Sequence, residues 1–247
     1  MSTSTRKVLF VMSEAAQIVG KDGKSREAGY WLEEFAIPYQ MMKASGWHVD
    51  IATPLGEKPT ADPASFAVDN DGKCHLWPDD KTFRTALATK ESAIDNGQVL
   101  SLRNLPDRFF TAYDGVFFPG GYSPMVDLTQ CRLTANILSL FHAAKKPTAL
   151  FCHAPVALLS ATLLPSFLYR GYRVTSFSTS EEQDTEIGQQ LEITAEEALV
   201  NAGIIFEKGT DWLPFAIIDR ELITGQNTAS TKIVAKIFIS ALNRMYK

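Results

Sequence analysis

One stretch of the 247-residue sequence decides the fold: Pro147-Thr148-Ala149-Leu150-Phe151-Cys152-His153-Ala154-Pro155. Its first five residues, small and apolar after a turn-forming proline, predict a short buried strand. The residues after His153 predict a helix, since a proline is tolerated in a first helical turn. Cys152 therefore lies at the corner between strand and helix, as the serine of a nucleophile elbow does.

The position of Cys152 predicts a reactive sulfur. The amide dipoles at the start of the following helix favour the thiolate over the thiol, and His153 is its neighbour in the sequence. The alternative is an inert buried cysteine that acts only as a small apolar side chain, which is the commonest kind.

Outward from this corner, the chain alternates apolar runs with amphipathic segments. Further strands are predicted at residues 7–12, 48–52, 115–118 and 172–177, a hairpin at 216–224, and helices at 29–44, 79–90, 128–144, 181–201 and 230–242. Such alternation predicts an α/β fold with a doubly wound, mostly parallel sheet and helices on both faces. We expect residues 1–247 to form a single domain, in which the irregular residues 57–110 are an insertion or cap above the sheet.

The loops after four predicted strands meet at the carboxyl edge of such a sheet, where ligands of this fold class bind. These loops follow Met12, Phe118, Phe151 and Phe177. Cys152 lies in the third of them, so its position predicts a functional site at this edge.

Composition excludes several classes of function. The net charge of −4 comes without a basic run, so nucleic acid is not an expected partner. No apolar stretch approaches the ~18 residues of a membrane span, and residues 1–7 lack the apolar segment of a signal peptide. Three widely spaced cysteines do not indicate a disulfide framework, and no histidine pair has zinc-ligand spacing. We expect a cytoplasmic protein without a metal.

Four patches of the sequence resemble the ThiJ/PfpI superfamily, which has the glutamine-amidotransferase-like, flavodoxin-like fold. They are the Cys152 elbow, the acidic helix at Gly29-Tyr30-Trp31-Leu32-Glu33-Glu34-Phe35-Ala36-Ile37-Pro38-Tyr39, the loop Asp114-Gly115-Val116-Phe117-Phe118-Pro119-Gly120-Gly121, and the late turn Leu222-Ile223-Thr224-Gly225-Gln226-Asn227. The sequence is most similar to the heat-shock-chaperone-like branch, whose members often act as glutathione-independent glyoxalases.

The resemblance implies roles for individual residues. Cys152 matches the nucleophile, and Glu34 matches the carboxylate that shuttles protons beside the sulfur. Glu33 lies about 100° away around the helix, so only one of the two carboxylates can face the site. His153 matches the family histidine, with Glu182 as the carboxylate that orients it. Substrate and oxyanion contacts are implied for Gly120, Gly121 and Tyr122, and the amides of Gly121 and His153 are expected to stabilise the oxyanion.

Two departures from related proteins are informative. No histidine follows His153 in the chain, so the histidine-x-glutamate pair of true glutamine amidotransferases is missing and glutaminase activity is not expected. Tyr122 and Ser123 stand where the glyoxalase-like branch usually has histidine and glycine. A phenol donates a hydrogen bond but does not titrate near neutral pH, which puts the substrate in question.

The expected function is that of a glyoxalase III-type lyase, which converts methylglyoxal to D-lactate with Cys152 and without a cofactor. The resemblance also implies a homodimer, and the expected ligand is a small carbonyl substrate. Three alternatives stay open: a chaperone or oxidation sensor in which Cys152 becomes a sulfinate, a cysteine hydrolase of peptides or amides, and a lyase or hydratase for another small electrophile.

Overall fold

A seven-stranded sheet forms the centre of the computed structural model, which describes residues 6–71 and 73–246. The strands are β1 Lys7–Val11, β2 Gln17–Val19, β3 Ser25–Glu27, β4 His48–Thr53, β5 Val99–Ser101, β6 Gly115–Phe118, β7 Thr148–Phe151, β8 Arg173–Val174, β9 Ile205–Phe206, β10 Ala216–Asp219 and β11 Leu222–Gly225. The central sheet has the order β10-β11-β7-β6-β1-β4-β5, and only β10 runs antiparallel to its neighbour. The predicted mostly parallel α/β fold is confirmed.

Helices cover both faces of this sheet. They are α1 Leu32–Ala44, α2 Asp80–Lys90, α3 Asp107–Phe110, α4 Pro124–Asp127, α5 Arg132–Ala143, α6 Thr179–Glu182, α7 Ala195–Asn201 and α8 Thr231–Arg244. Short 3₁₀ segments lie at Pro63–Phe66, Ala154–Leu163, Gly188–Gln190 and Thr228–Ser230, and a π-helical turn at Glu91–Asp95 follows α2. None of the helices in the described parts of the chain has the length and apolar character needed to span a bilayer.

The central strands are apolar on both faces because both faces are covered. In β1, Val8 and Phe10 pack in one core with residues of α1 and α8, whereas Leu9 and Val11 pack in the other with residues of α5 and the 3₁₀ helix after β7. Alternate residues of a strand point to opposite faces, so one apolar run contributes to both cores. This is why the runs at 7–12 and 115–118 predict their strands correctly.

Residues 57–110 contain ordered elements of the domain. Strand β5 pairs in parallel with β4 at the edge of the central sheet. The side chain of Gln40 in α1 donates to Thr89 of α2 at 2.9 Å, and Phe83 of α2 is buried in the same core as α1. That this segment acts as a cap stays a prediction.

Several predicted elements are wrong. Residues 172–177 are not a strand of the main sheet, since only Arg173–Val174 is a strand and it pairs with Ile205–Phe206 in a separate sheet. The helix predicted at 181–201 is instead divided into α6, a 3₁₀ turn and α7. Ser178 and Thr194 each form a capping box, so two helices start where one was expected.

Two further differences concern segments next to the functional edge. The segment after Cys152 is a 3₁₀ helix rather than an α-helix, with Pro155 in its first turn as expected. The loop predicted after Met12 contains a hairpin, in which Gln17–Val19 pairs antiparallel with Ser25–Glu27.

Candidate active site

Cys152 forms the predicted corner between β7 and the following 3₁₀ helix. Its φ angle of 57° lies in the left-handed region, which disfavours residues other than glycine by roughly 1–2 kcal/mol. Two backbone hydrogen bonds hold it there, from the Cys152 amide to the Gly225 carbonyl at 3.0 Å and from the Phe177 amide to the Cys152 carbonyl at 2.9 Å. The residue is only 4% exposed.

Glu34 extends from the first turn of α1 toward the Cys152 sulfur and is completely buried. Its Oε1 accepts a hydrogen bond of 2.6 Å from the Thr228 hydroxyl. Among the described residues, none forms a hydrogen bond of standard length and angle with Glu34 Oε2. The Cys152 thiol and the Gly120 amide lower the pKa of Glu34, so they interact with it, but weakly. Burial outweighs these contacts and raises the pKa of Glu34 to about 8. Glu33 is only partly buried.

Gly120 lies where Glu34 and Cys152 approach each other. A Cβ atom at this position would be 2.4 Å from Glu34 Oε2 and 2.7 Å from Cys152 Cβ, so a larger residue would separate the two groups. The amide of Gly121, whose φ is 108°, faces the sulfur together with the amide of His153. Gly120 and Gly121 therefore lie in the site as the sequence predicts.

His153 lies on the other side of the sulfur. Its Nδ1 is 3.3 Å from Cys152 Sγ, and its Nε2 is 2.7 Å from Glu182 Oε1. Since the Glu182 carboxylate only accepts, it selects the tautomer with the proton on Nε2 and leaves Nδ1 free to accept from the thiol. The imidazole packs against the rings of Tyr122 and Phe177 in tilted contacts, with ring centroids 4.1 and 4.6 Å away.

Tyr122 contacts the His153–Glu182 pair. Its hydroxyl donates to Glu182 Oε2 at 2.7 Å and is 2.7 Å from the Thr185 hydroxyl. Burial and the negative charge of Glu182 raise the pKa of the phenol. Tyr122 thus orients Glu182, a different contact from the substrate or oxyanion contact that the resemblance implies.

The protonation of Cys152 differs from the sequence-based expectation. The amides of Gly121 and His153 lower the pKa of the thiol, as predicted for the start of a helix, but burial and the charge of Glu34 raise it more. The resting sulfur is therefore a thiol, and a neighbouring base has to remove its proton.

Sequence reasoning assigned no role to Glu181 and Thr228. Glu181 is fully buried, and its two oxygens accept five hydrogen bonds from three segments: two from Ser178, and one each from Trp212, Gln226 and Asn227. These bonds fix the turn that precedes Thr228, and Thr228 in turn contacts Glu34. The Thr224-Gly225-Gln226-Asn227 motif was the available signal.

The site contains no arrangement for a metal. In the described ranges, no three histidine, cysteine, aspartate or glutamate side chains are grouped so that they could hold a metal ion. The other two cysteines, Cys74 and Cys131, are free.

Comparison with known proteins gives related chains over most of the sequence. A family model described as ThiJ/PfpI family-like matches residues 26–163. Glutamine amidotransferase-like class 1 domain-containing protein 1 of Bos taurus is 27% identical over 191 residues, 77% of this chain and 78% of that protein. The protein/nucleic acid deglycase HchA of Staphylococcus aureus (strain bovine RF122 / ET3-1) is 26% identical over 249 residues, 96% of this chain and 80% of that protein. The crystal structure of glyoxalase III from Candida albicans shares the fold, with a TM-score of 0.75 and 20% identity over 96% of this chain and 98% of that chain.

Proposed function

The chain belongs to the ThiJ/PfpI family, and from that premise we propose that it is a cysteine-dependent, glutathione-independent glyoxalase that converts methylglyoxal to D-lactate. The observation that carries this proposal is the Glu34 carboxyl, which is buried beside the Cys152 sulfur and has a pKa of about 8. A group of that pKa can both take up and release a proton near neutral pH. The names of the Staphylococcus and Candida relatives support carbonyl chemistry of this kind.

The first step is addition of the sulfur to the aldehyde. His153 Nδ1, 3.3 Å from Sγ, takes the thiol proton. A bond forms between sulfur and the aldehyde carbon, while the electrons of the carbonyl double bond move to its oxygen. The amides of Gly121 and His153 face this position and stabilise the oxyanion, which then takes the proton from His153. The product is a hemithioacetal.

The second step moves hydrogen between the two carbons. The Glu34 carboxylate removes the proton from the carbon bonded to sulfur, and the electrons of that bond move toward the neighbouring carbonyl oxygen to give an enediolate. Glu34 returns that proton to the neighbouring carbon, and the hydroxyl proton passes from the first oxygen to the second. The first carbon is thereby oxidised to a thioester and the second is reduced to an alcohol, so no external oxidant or reductant is consumed.

Hydrolysis of the thioester completes the cycle. His153 Nδ1 takes a proton from water as the water oxygen adds to the thioester carbon. The carbon–sulfur bond then breaks, the sulfur takes that proton from His153, and lactic acid leaves and ionises to lactate. The Glu182 carboxylate, 2.7 Å from Nε2, stabilises the imidazolium that forms in the first and last steps. The chain itself supplies the thiol that glutathione supplies in other glyoxalases.

The deciding experiment measures methylglyoxal consumption and D-lactate formation without glutathione. Native protein should turn over methylglyoxal, and Cys152→Ser should lower kcat by about 10³-fold or more. Cys131→Ser removes a free cysteine outside the site and should keep the native rate. Native protein that leaves methylglyoxal unchanged would overturn the assignment, and equal rates for Cys152→Ser and native protein would overturn the mechanism.

A further inference from the structure

A cavity of about 390 Å³ lies beside the site and includes Asp62 and Tyr122 in its lining. Tyr122 packs against His153 in a tilted ring contact, and Asp62, whose pKa is raised by burial, lies near the same imidazole. Trp31, also in the lining, donates its backbone amide to the Gly120 carbonyl at 3.0 Å. The cavity thus borders the Cys152–His153 pair along the side chain of Tyr122 and the Gly120 loop.

The charged residues of this cavity are mostly acidic. Three carboxylates, Glu27, Asp62 and Glu186, line it together with one guanidinium, Arg26. The positive charge of Arg26 is already compensated, because its Nη1 and Nη2 bind the carboxylate of Asp22 at 2.9 and 2.8 Å. The remaining charge that an entering molecule meets is therefore negative.

The acidic residue nearest to the reacting groups is also held in place. Asp62 is only 4% exposed, and its amide donates to the Tyr30 carbonyl at 2.8 Å. Its Oδ1 accepts from the Ala64 amide at 2.9 Å. A fixed carboxylate with little access to water interacts with a passing charge more strongly than a mobile surface group does.

We propose that this cavity is the entrance to Cys152 and that its carboxylates make the site selective for neutral and cationic carbonyl compounds over those that carry a carboxylate or phosphate. Asp62 is the main specificity-determining residue, and the exposed Glu186 adds to its effect. The claim about carbonyl substrates rests on the proposed glyoxalase function, whereas the selection by charge does not.

The test uses two electrophiles of matched size that alkylate the sulfur without any turnover. Iodoacetamide is neutral and iodoacetate is anionic, and both transfer their carbon to the thiolate as iodide leaves. The alkylation rate of Cys152 is measured with each reagent by peptide mass spectrometry, and the ratio is normalised to that of 2-mercaptoethanol. We expect the native protein to prefer iodoacetamide by about tenfold more than the free thiol does.

Variants separate the effect of the cavity carboxylates from that of other groups near the sulfur. Asp62→Asn keeps an oxygen that can accept from Ala64 and should lower the normalised ratio about threefold to fivefold. Glu186→Gln, on an exposed side chain that folding does not depend on, should lower it less, and Glu192→Gln outside the cavity should leave it unchanged. Thermal melts establish that each variant is folded.

An unchanged ratio in Asp62→Asn would overturn the proposal, as would a native ratio equal to that of 2-mercaptoethanol. A protein that does not consume methylglyoxal but shows the expected ratios would contradict only the glyoxalase function. Turnover with ratios that do not respond to Asp62 would contradict only the entrance.

Discussion

Two buried carboxyl groups flank the Cys152–His153 corner, and their surroundings differ. Glu182 uses one oxygen for His153 and the other for the Tyr122 hydroxyl, each at 2.7 Å. Glu34 has one such partner, Thr228, and its second oxygen has no hydrogen bond of ordinary geometry among the described residues. One carboxyl group has both oxygens occupied and holds a ring in place, whereas burial raises the pKa of the other so that it can carry a proton near neutral pH.

The strongest test of this difference is Glu34→Gln. An amide of nearly the same shape cannot carry a proton between two carbons, so kcat for methylglyoxal should fall about 10³-fold. Glu33→Gln changes the neighbouring carboxylate on the same helical turn and should leave kcat within about twofold. Comparable losses in the two variants would indicate that the helix, and not the Glu34 carboxyl, was disturbed.

The loss expected for Glu182→Gln is smaller, about 10²-fold in kcat, because this residue acts through His153 and does not exchange protons itself. The glutamine amide can donate to Nε2, which would place the ring proton on Nδ1 and block acceptance from the thiol. NMR of the ring nitrogens distinguishes the tautomers. A variant with the native tautomer and the native rate would contradict this role.

Glu34→Gln and Glu182→Gln should have opposite effects on the free energy of unfolding. Burial raises the pKa of Glu34 from its ordinary 4.5 to about 8, so between these pH values the folded state binds more protons than the unfolded state. The contribution of Glu34 to stability therefore decreases by about 1.4 kcal/mol for each pH unit that the pH rises within this window.

Glu34→Gln removes this contribution and should raise the free energy of unfolding by a few kcal/mol on the alkaline side of the window. Glu182→Gln removes a hydrogen-bonded charge beside His153 and should lower it by about 1–3 kcal/mol. Urea denaturation on both sides of the window measures both effects. A Glu34→Gln protein with unchanged pH dependence would show that this carboxyl is not the source.

A finer test is Thr228→Val. The Thr228 hydroxyl lowers the pKa of Glu34, so its loss should move the acidic limb of the pH–rate profile upward and reduce kcat below that limb by up to about tenfold. At high pH the rate should return to the native value. A uniform loss at every pH would instead indicate that the turn at 226–228 had moved.

The sequence predicts the parts of the site that depend on local pattern. An apolar strand, a proline in the next turn and an adjacent histidine mark Cys152, and resemblance adds Glu34 and Glu182, which lie beside Cys152 and His153. Thr228 was not predicted, because it contacts Glu34 across 194 positions of the chain, although it directly follows the Thr224-Gly225-Gln226-Asn227 motif. The single helix predicted at 181–201 is wrong for a local reason, because Ser178 and Thr194 each cap a separate helix.

The left-handed backbone of Cys152 has a consequence for how this chain evolves. A glycine adopts a φ of 57° without the cost that a cysteine incurs there. Cys152→Gly therefore removes the reacting sulfur while it relieves the backbone cost at this position. In a lineage that no longer needs the reaction, mutation should replace this cysteine early while the sheet around it persists, so retention of cysteine at this position in a descendant indicates continued selection for its chemistry.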